Sequence, residues 1–263
     1  MKVAVCVKAV PTRIDPSEVI EKNGFFTLTG NNAIINESDE YAVEEAVALK
    51  RRLGCEVVAI SVGGPAAQEI LCKVFAKGVD RTLRVDASFL NPARTALTLS
   101  SLIKREGCEM ILTGVESADV MASCVGGAIA GLLRIPFCFA VTGIELVSKD
   151  RLVVTKEVGG GASQKVEIEL PVVLAIQPGI RPLSYPPAAL VILARRKPAE
   201  VIRLRDLGIE EDLGKRAEWA MEKVLIPEKG GSRSVTMLDG SVRDAAKRLL
   251  ELAKNKLAGV ESP

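Results

Sequence analysis

Between Ile111 and Leu133 the chain reads ILTGVESADVMASCVGGAIAGLL. The apolar run Met110-Ile111-Leu112 reads as the end of a buried strand. Thr113-Gly114 then makes a turn and Glu116-Ser117-Ala118-Asp119 a polar loop. Ser123, Gly126 and Gly127 fall in the first turns of a helix. Strand, glycine turn, polar loop and small-residue helix start form the geometry in which phosphate sits on backbone N–H groups. Small residues belong there because a bulky side chain holds a ligand off the backbone. The spacing is neither G-x-G-x-x-G nor the Walker pattern. The same stretch therefore also reads as a βα turn whose glycines serve only helix–sheet packing.

Residue types elsewhere narrow the chemistry. The sequence has no histidine, which removes the commonest general base, the usual metal ligand and every Ser-His or Cys-His nucleophile. That points to binding or carrying rather than acid–base catalysis, with no catalytic residue and no metal site assigned. The six cysteines, Cys6, Cys55, Cys72, Cys108, Cys124 and Cys138, form no CxxC pair and read as reduced, packed thiols. Cys124 differs, since a helix start lowers a thiol pKa, but no partner base accompanies it. The net charge of +2 is spread over both signs, and only 3% of residues are aromatic, so nothing suggests nucleic acid. No signal peptide or membrane-length apolar run is expected, and the protein reads as soluble and cytoplasmic.

The elements that position the first stretch follow from periodicity. With 48% hydrophobic residues, mostly aliphatic, the composition suits buried parallel strands with helices on both faces. Lys2–Lys8 is a short β-rich run expected to be a central strand, ended by Ala9-Val10-Pro11, with Asp15-Pro16 as a turn beyond. Phe25–Thr29 and Ala33–Ile35 flank Thr29-Gly30-Asn31-Asn32 and are expected to pair as a small hairpin. Asn36 or Ser38 is placed to cap a helix whose first turns carry Glu37 and Asp39, ended by Gly54. Glu56–Val62 is a strand, Gly63-Gly64-Pro65 turns into a helix to Lys77, Arg81–Val85 is a strand, and Asn91-Pro92 opens a helix ended by Gly107. This β-α repetition implies a parallel sheet with right-handed crossovers and a ligand at the strands' carboxyl ends. Ala9, Asn36–Asp39, Gly63-Gly64 and Gly114–Gly127 collect there from separate loops.

After Pro136 the pattern changes. Phe137–Leu146, Arg151–Val158 and Lys165–Ile176 read as strands, with Gly159-Gly160-Gly161 as a hairpin. Pro178–Pro187 contains four prolines and cannot be regular structure. It carries Tyr185, and reads either as a docking loop or as a plain surface crossover. Ala188–Ala194 is expected to be helical and Arg195-Arg196-Lys197 a solvated basic end. The tail beyond Leu207 is charged, broken at Gly230-Gly231 and Gly240, carries the only tryptophan, Trp219, and ends in an amphipathic helix from about Val242 to Leu257. A tail with so little core of its own is expected to wrap another surface.

These residues resemble the β subunit of electron transfer flavoproteins, including the nitrogen-fixation-associated form, over about residues 1–210. The resemblance rests on Val7-Lys8-Ala9-Val10-Pro11, on Asn36-x-x-Asp39-x-x-Ala42-x-Glu44-Glu45-Ala46, and on Gly114–Gly131. Its most specific element is Val154-Thr155-Lys156-Glu157-Val158-Gly159-Gly160-Gly161, then Gln164, Val166 and Pro171–Ala175. Gly159 departs from the family, which usually has an acidic residue there. The resemblance implies a heterodimer with an α subunit, an FAD shared with α, and a buried AMP, or a second FAD, in this chain. Nucleotide contacts then fall on Ala9, Asn36, Glu37, Ser38, Asp39, Gly63, Gly114, Asp119, Ser123, Cys124, Val125, Gly126 and Gly127. It makes 178–193 a recognition loop for flavin dehydrogenases such as acyl-CoA dehydrogenases, with Tyr185 and Pro186 as contacts. The segment from Asp119 to Gly127 lacks the Asp-Gly-Asp-Thr-Ala-Gln-Val-Gly-Pro run of electron-bifurcating members, which leans towards AMP and leaves the choice open.

The expected fold is α/β, a Rossmann-like parallel-sheet nucleotide-binding domain over 1–205 with an added antiparallel hairpin. The tail, 206–263, is expected to pack on the partner subunit. The expected function is electron carriage to a quinone- or ferredoxin-linked acceptor, not an enzyme activity of its own. A stand-alone ATP- or AMP-binding signalling protein without flavin is the alternative. A nucleotide-dependent ligase or hydrolase is disfavoured by the missing phosphate-binding lysine motif.

Overall fold

Lys2–Cys6 (β1) is buried along nearly its whole length because strands lie on both sides of it and helices on both faces. The structure is a computed structural model describing residues 1–12, 19–22, 25–28, 33–87, 91–209 and 237–258. It divides into two units, Met1–Lys223 and Val224–Pro263.

In the first unit β1 pairs in parallel with Glu56–Val62 (β6) on one side and with Met110–Gly114 (β8) on the other. Beyond β6 lie Arg81–Asp86 (β7) and Glu200–Arg203 (β13), both parallel. Beyond β8 lies Val172–Ile176 (β12), parallel to β8 and also to Phe137–Leu146 (β9). Arg151–Gly159 (β10) and Ala162–Glu169 (β11) continue the sheet from β9 as an antiparallel meander. The nine strands run β11-β10-β9-β12-β8-β1-β6-β7-β13.

Side-chain alternation on the central strands divides the core between two faces. Val3, Val5, Val57, Ala59 and Leu112 pack with Glu37–Leu53 (α1) and Pro65–Lys77 (α2). Ala4, Cys6, Val58, Ile60 and Ile111 pack with Pro92–Glu106 (α3) and Val125–Leu133 (α4). Covering both faces is what makes these strands uniformly apolar in sequence. Gly54, Gly78 and Gly107 are left-handed and end α1, α2 and α3. Asn91 caps α3, its Oδ1 accepting the Arg94 N–H at 2.8 Å.

Two expectations need correction, and one strand is additional. Ala33–Ile35 (β5) does not pair with Phe25–Leu28 (β4); β5 pairs with Ala9–Pro11 (β2), and β4 with Val19–Lys22 (β3). Asn23-Gly24 separates β3 from β4 in sequence and is the dipeptide that two-residue hairpins favour. The single strand expected from Lys165 to Ile176 is two, because Pro171 has no N–H to give a ladder. Strand β13 was not expected, since four residues with one buried position, Ile202, carry little periodicity. Helix Ala188–Arg195 (α5) stands as read and packs on α2 through Ala194, Cys72 and Ala76. The turn expected at Asp15-Pro16, the Thr29–Asn32 connection, Trp219 and the break at Gly230-Gly231 lie outside the described residues.

The second unit contains helix Val242–Ala258 (α6), on which Leu249, Leu250 and Leu252 are exposed. Among the described residues no helix is long and apolar enough to cross a membrane.

Leu102 of α3 is fully buried between helix and sheet. Leu102→Ala is expected to lower unfolding free energy by about 2–5 kcal/mol, read as a drop in urea midpoint at unchanged slope.

Candidate functional site

A cavity of about 470 Å³ opens at the carboxyl ends of β1, β6 and β8. After β1 the chain goes to β6 on one side; after β7 it crosses back to β8 on the other. Their diverging connections leave a crevice at this point of the sheet. The volume lies within the usual range for a small-ligand site, about 300–1,000 Å³. Ala9, Ile60, Val62, Gly63, Ala87 and Leu99 make much of it an apolar slot.

Two side chains at the start of α1 build its frame. The Asp39 carboxylate accepts the Lys8 N–H at 2.9 Å through Oδ2 and the Gly114 N–H at 2.9 Å through Oδ1, and so joins the ends of β1 and β8. The Asn36 side chain makes no helix-cap bond. Its Nδ2 donates to the Glu116 carbonyl at 2.7 Å, and its Oδ1 accepts the Ala118 N–H at 3.0 Å. Helix capping was one reading of Asn36; the side chain instead holds the 115–118 loop. Gly114 permits this approach. A Cβ there would sit 2.6 Å from Ser38 Cβ and 2.9 Å from the Asp39 nitrogen.

The opposite wall is the start of α4. Ser123 and Met121 both adopt positive φ, at 48° and 52°, an uncommon conformation for residues with side chains. The Ser123 hydroxyl donates to Glu116 at 3.2 Å. Ser123 therefore precedes the helix instead of lying in its first turn, and Cys124 occupies the cap position without a side-chain cap bond. The N–H groups that open α4 have no intrahelical acceptor and carry the positive end of the helix dipole. Thr113 faces them from β8. Its Oγ1 is buried without a hydrogen-bond partner, and a Cβ on Gly126 would lie 2.8 Å from it. A Cβ on Gly126 would also approach the Phe137 ring to 3.2 Å. Small residues at this helix start thus serve both packing and access.

Charge is distributed unevenly. Among the described lining residues, Lys8 is the one Lys or Arg. Its Nζ lies 2.6 Å from Asp119 Oδ1 and 3.2 Å from Ser117 Oγ. Burial alone would raise the Asp119 carboxyl, but bonds from Lys8 and Ser117 outweigh it and hold the group below the usual range. Burial dominates at Asp39 and pushes its carboxyl up to about 7, against the lowering effect of the backbone N–H bonds. Burial, and secondarily the Asp39 charge, hold the Cys6 thiol far above its ordinary range.

Of the thirteen nucleotide positions expected from sequence, Ala9, Asn36, Asp39, Gly63, Gly114, Asp119, Ser123, Cys124, Val125 and Gly126 line one cavity. Glu37 is exposed away from it, Ser38 is buried under Gly114, and Gly127 packs against Phe137. Those three are not lining residues, because side chains one helical position apart point in different directions. Lys8 and Thr113 were missed, while Glu116 lies within the expected Gly114–Gly127 stretch. Lys8, just beyond β1, and Thr113, next to the last residue of β8, were legible from two strands that end at the same edge. Tyr185 and Pro186 are not among the lining residues; Tyr185 is 87% exposed.

Asp39→Asn leaves one of the two strand-end N–H groups facing an amide donor, at an expected cost of about 1–3 kcal/mol. With its folded pKa raised to about 7, Asp39 keeps its proton in the folded chain where the unfolded chain has lost it. Its contribution is therefore full below about pH 4 and declines as pH rises to about 7. Urea midpoints measured across that range should fall in the native protein and flatten in Asp39→Asn. Gly114→Ala should lower the midpoint at every pH, by about 1–3 kcal/mol in free energy, through the clash with Ser38 and Asp39.

Residues 24–207 match the family model for the electron transfer flavoprotein domain. Electron transfer flavoprotein subunit beta of Methylophilus methylotrophus is 32% identical over 260 residues, covering 96% of this chain and 97% of the relative. The subunit of the same name from Bacillus subtilis is 28% identical over 243 residues, covering 91% and 93%. A family match over most of the chain and near full-length likeness to beta subunits agree with the parallel sheet and its edge cavity, and the chain belongs to the electron transfer flavoprotein family, as a β subunit.

Proposed function

We propose that this β subunit, paired with its α subunit, holds a buried AMP in the cavity at the ends of β1, β6 and β8. In that heterodimer it half-covers an FAD held mainly by α. The observation that carries the nucleotide reading is Thr113 Oγ1, a buried hydroxyl without a partner beside the open N–H groups of α4. A phosphoryl oxygen satisfies both. The apolar slot of Ala9, Val62 and Leu99 suits a purine. The Gly114 and Gly126 positions keep side chains out of the path. One helix start and one lysine, already paired with Asp119, suit a single phosphoryl group. Glu116 and Asp119 on the same loop disfavour a second, which supports AMP over a second FAD.

The flavin, when bound, supplies the electron chemistry. This chain's residues position, insulate and present. Asp39 and Asn36 fix the loops around the nucleotide, and no side chain is assigned as acid, base or nucleophile. Electrons pass from flavin dehydrogenases, such as acyl-CoA dehydrogenases, to a quinone- or ferredoxin-linked acceptor. The loop within 178–193 docks the donors through Tyr185 and Pro186; the exposure of Tyr185 supports this. The tail, 206–263, packs on α, for which the exposed leucines of α6 are suited. All six cysteines are free thiols, consistent with the reducing cytoplasm.

The test is to co-express the chain with its α subunit, denature the purified complex, and identify released nucleotides by chromatography and mass. One FAD and one AMP per heterodimer is the expected result. Two FAD would replace the AMP assignment, and ATP without flavin or α would overturn the electron-carrier reading. Thr113→Val keeps the shape and removes the hydroxyl. It should weaken AMP retention about tenfold, a loss of about 1.4 kcal/mol, with FAD content unchanged.

A further inference from the structure

The proline loop that carries Tyr185 is fastened from beneath by charged side chains. Lys77, the last residue of α2, has a side chain only 3% exposed. Its Nζ lies 2.8 Å from Glu40 Oε1 and 2.6 Å from Glu44 Oε1, and donates to the Ser184 carbonyl at 2.6 Å. All three ammonium donors have partners. Glu44 accepts from the Ser184 N–H at 2.9 Å and from its hydroxyl at 2.8 Å. Three residues upstream, Arg181 pairs with Glu45, whose side chain is 1% exposed. Downstream, Lys197 lies 5.7 Å from the centre of the Phe75 ring of α2.

Both members of the central pair stay charged. Burial alone would raise Glu44, but Lys77 and Ser184 outweigh it; burial alone would lower Lys77, but Glu40 and Glu44 outweigh it. Buried ion pairs add little net stability, because desolvation offsets their attraction. They select one geometry among those available. Here they select it for a segment that already has four prolines and no regular structure. Beside this clamp, one large side chain, Tyr185, is left 87% exposed. A plain crossover has no use for such fastening, whereas a docking loop gains affinity by being ordered before its partner arrives.

We propose that Lys77, acting with Glu44 on Ser184, is a positioning residue that presets the Tyr185 loop for electron-transfer partners. This rests on the docking reading given above. Neither Lys77 nor Glu44 touches the partner; they act through the loop's shape. Wild type, Lys77→Met and Tyr185→Ala are to be compared as heterodimers with α, using a flavin dehydrogenase first shown to reduce the wild-type complex. Hydrogen–deuterium exchange of 178–187 reports the loop, and steady-state KM and kcat report docking and turnover.

Lys77→Met should speed loop exchange about tenfold and raise KM about tenfold, with kcat within about twofold and flavin content unchanged. Tyr185→Ala should raise KM without speeding loop exchange. Unchanged exchange in Lys77→Met would overturn the proposal. Faster exchange with unchanged KM, while Tyr185→Ala still raises KM, would reduce the clamp to a structural brace and leave the docking reading standing. Unchanged KM in both variants would remove the docking reading and the proposal together. If Lys77→Met does not fold, Ser184→Ala decides on the same readouts, with an expected change of about threefold.

Discussion

The structure depends on one carboxylate accepting hydrogen bonds from two strand ends. Asp39 sits on the first turn of α1 and takes the Lys8 N–H from the end of β1 and the Gly114 N–H from the end of β8. Parallel neighbours diverge where their ladders stop, because their chains leave for different helices. A buried group that bridges the divergence sets the width of the crevice. A longer side chain would spread it, and an amide would turn a donor towards one of the two N–H groups. Burial disfavours the charge that this bridge uses, which is why the Asp39 carboxyl titrates near neutrality instead of in the ordinary acidic range.

Around that fixed width, the two faces of the sheet divide the labour. The α1–α2 face supplies Asn36, Asp39, Glu44, Glu45 and Lys77. They hold loops in place, either over the cavity or beneath Tyr185. The α3–α4 face supplies the orphan Thr113 hydroxyl and the open helix start. The side chains named on the first face are paired with protein groups, while the Thr113 hydroxyl on the second has no partner. Helix α1 therefore connects the edge cavity to the proline loop that carries Tyr185 through one element.

What could be read in advance was whatever depends on local order. KVAVC is a strand because it is short, apolar and β-branched. Gly54, Gly78 and Gly107 stop helices because only glycine adopts their conformation cheaply. Most of the cavity lining was legible because several βα junctions must converge at one sheet edge. The rest depended on partners distant in sequence. Glu44 and Glu45 look like ordinary acidic residues of a helix, and nothing nearby says that Ser184 and Arg181 will meet them. Asn36 looks like a cap because its other partner is the backbone at Glu116 and Ala118. The unexpected edge strand, β13, exists because β7 offers an open ladder.

Strand β12 lies between β8 and β9, although the chain makes β10 and β11 first. The β9–β10–β11 meander closes through near neighbours in sequence, and such local contacts form quickly. The gap beside β8 stays open until Val172–Ile176 has been synthesised and slots in, with Val172 opposite Met110. Only then are both sides of β8 occupied, and β8 carries Thr113 and Gly114. A ribosome-bound chain truncated before β12 therefore offers an unpaired apolar edge beside an unfinished ligand pocket. The last strand to enter the middle of the sheet thus completes the edge of β8, the strand whose Thr113 and Gly114 line the cavity.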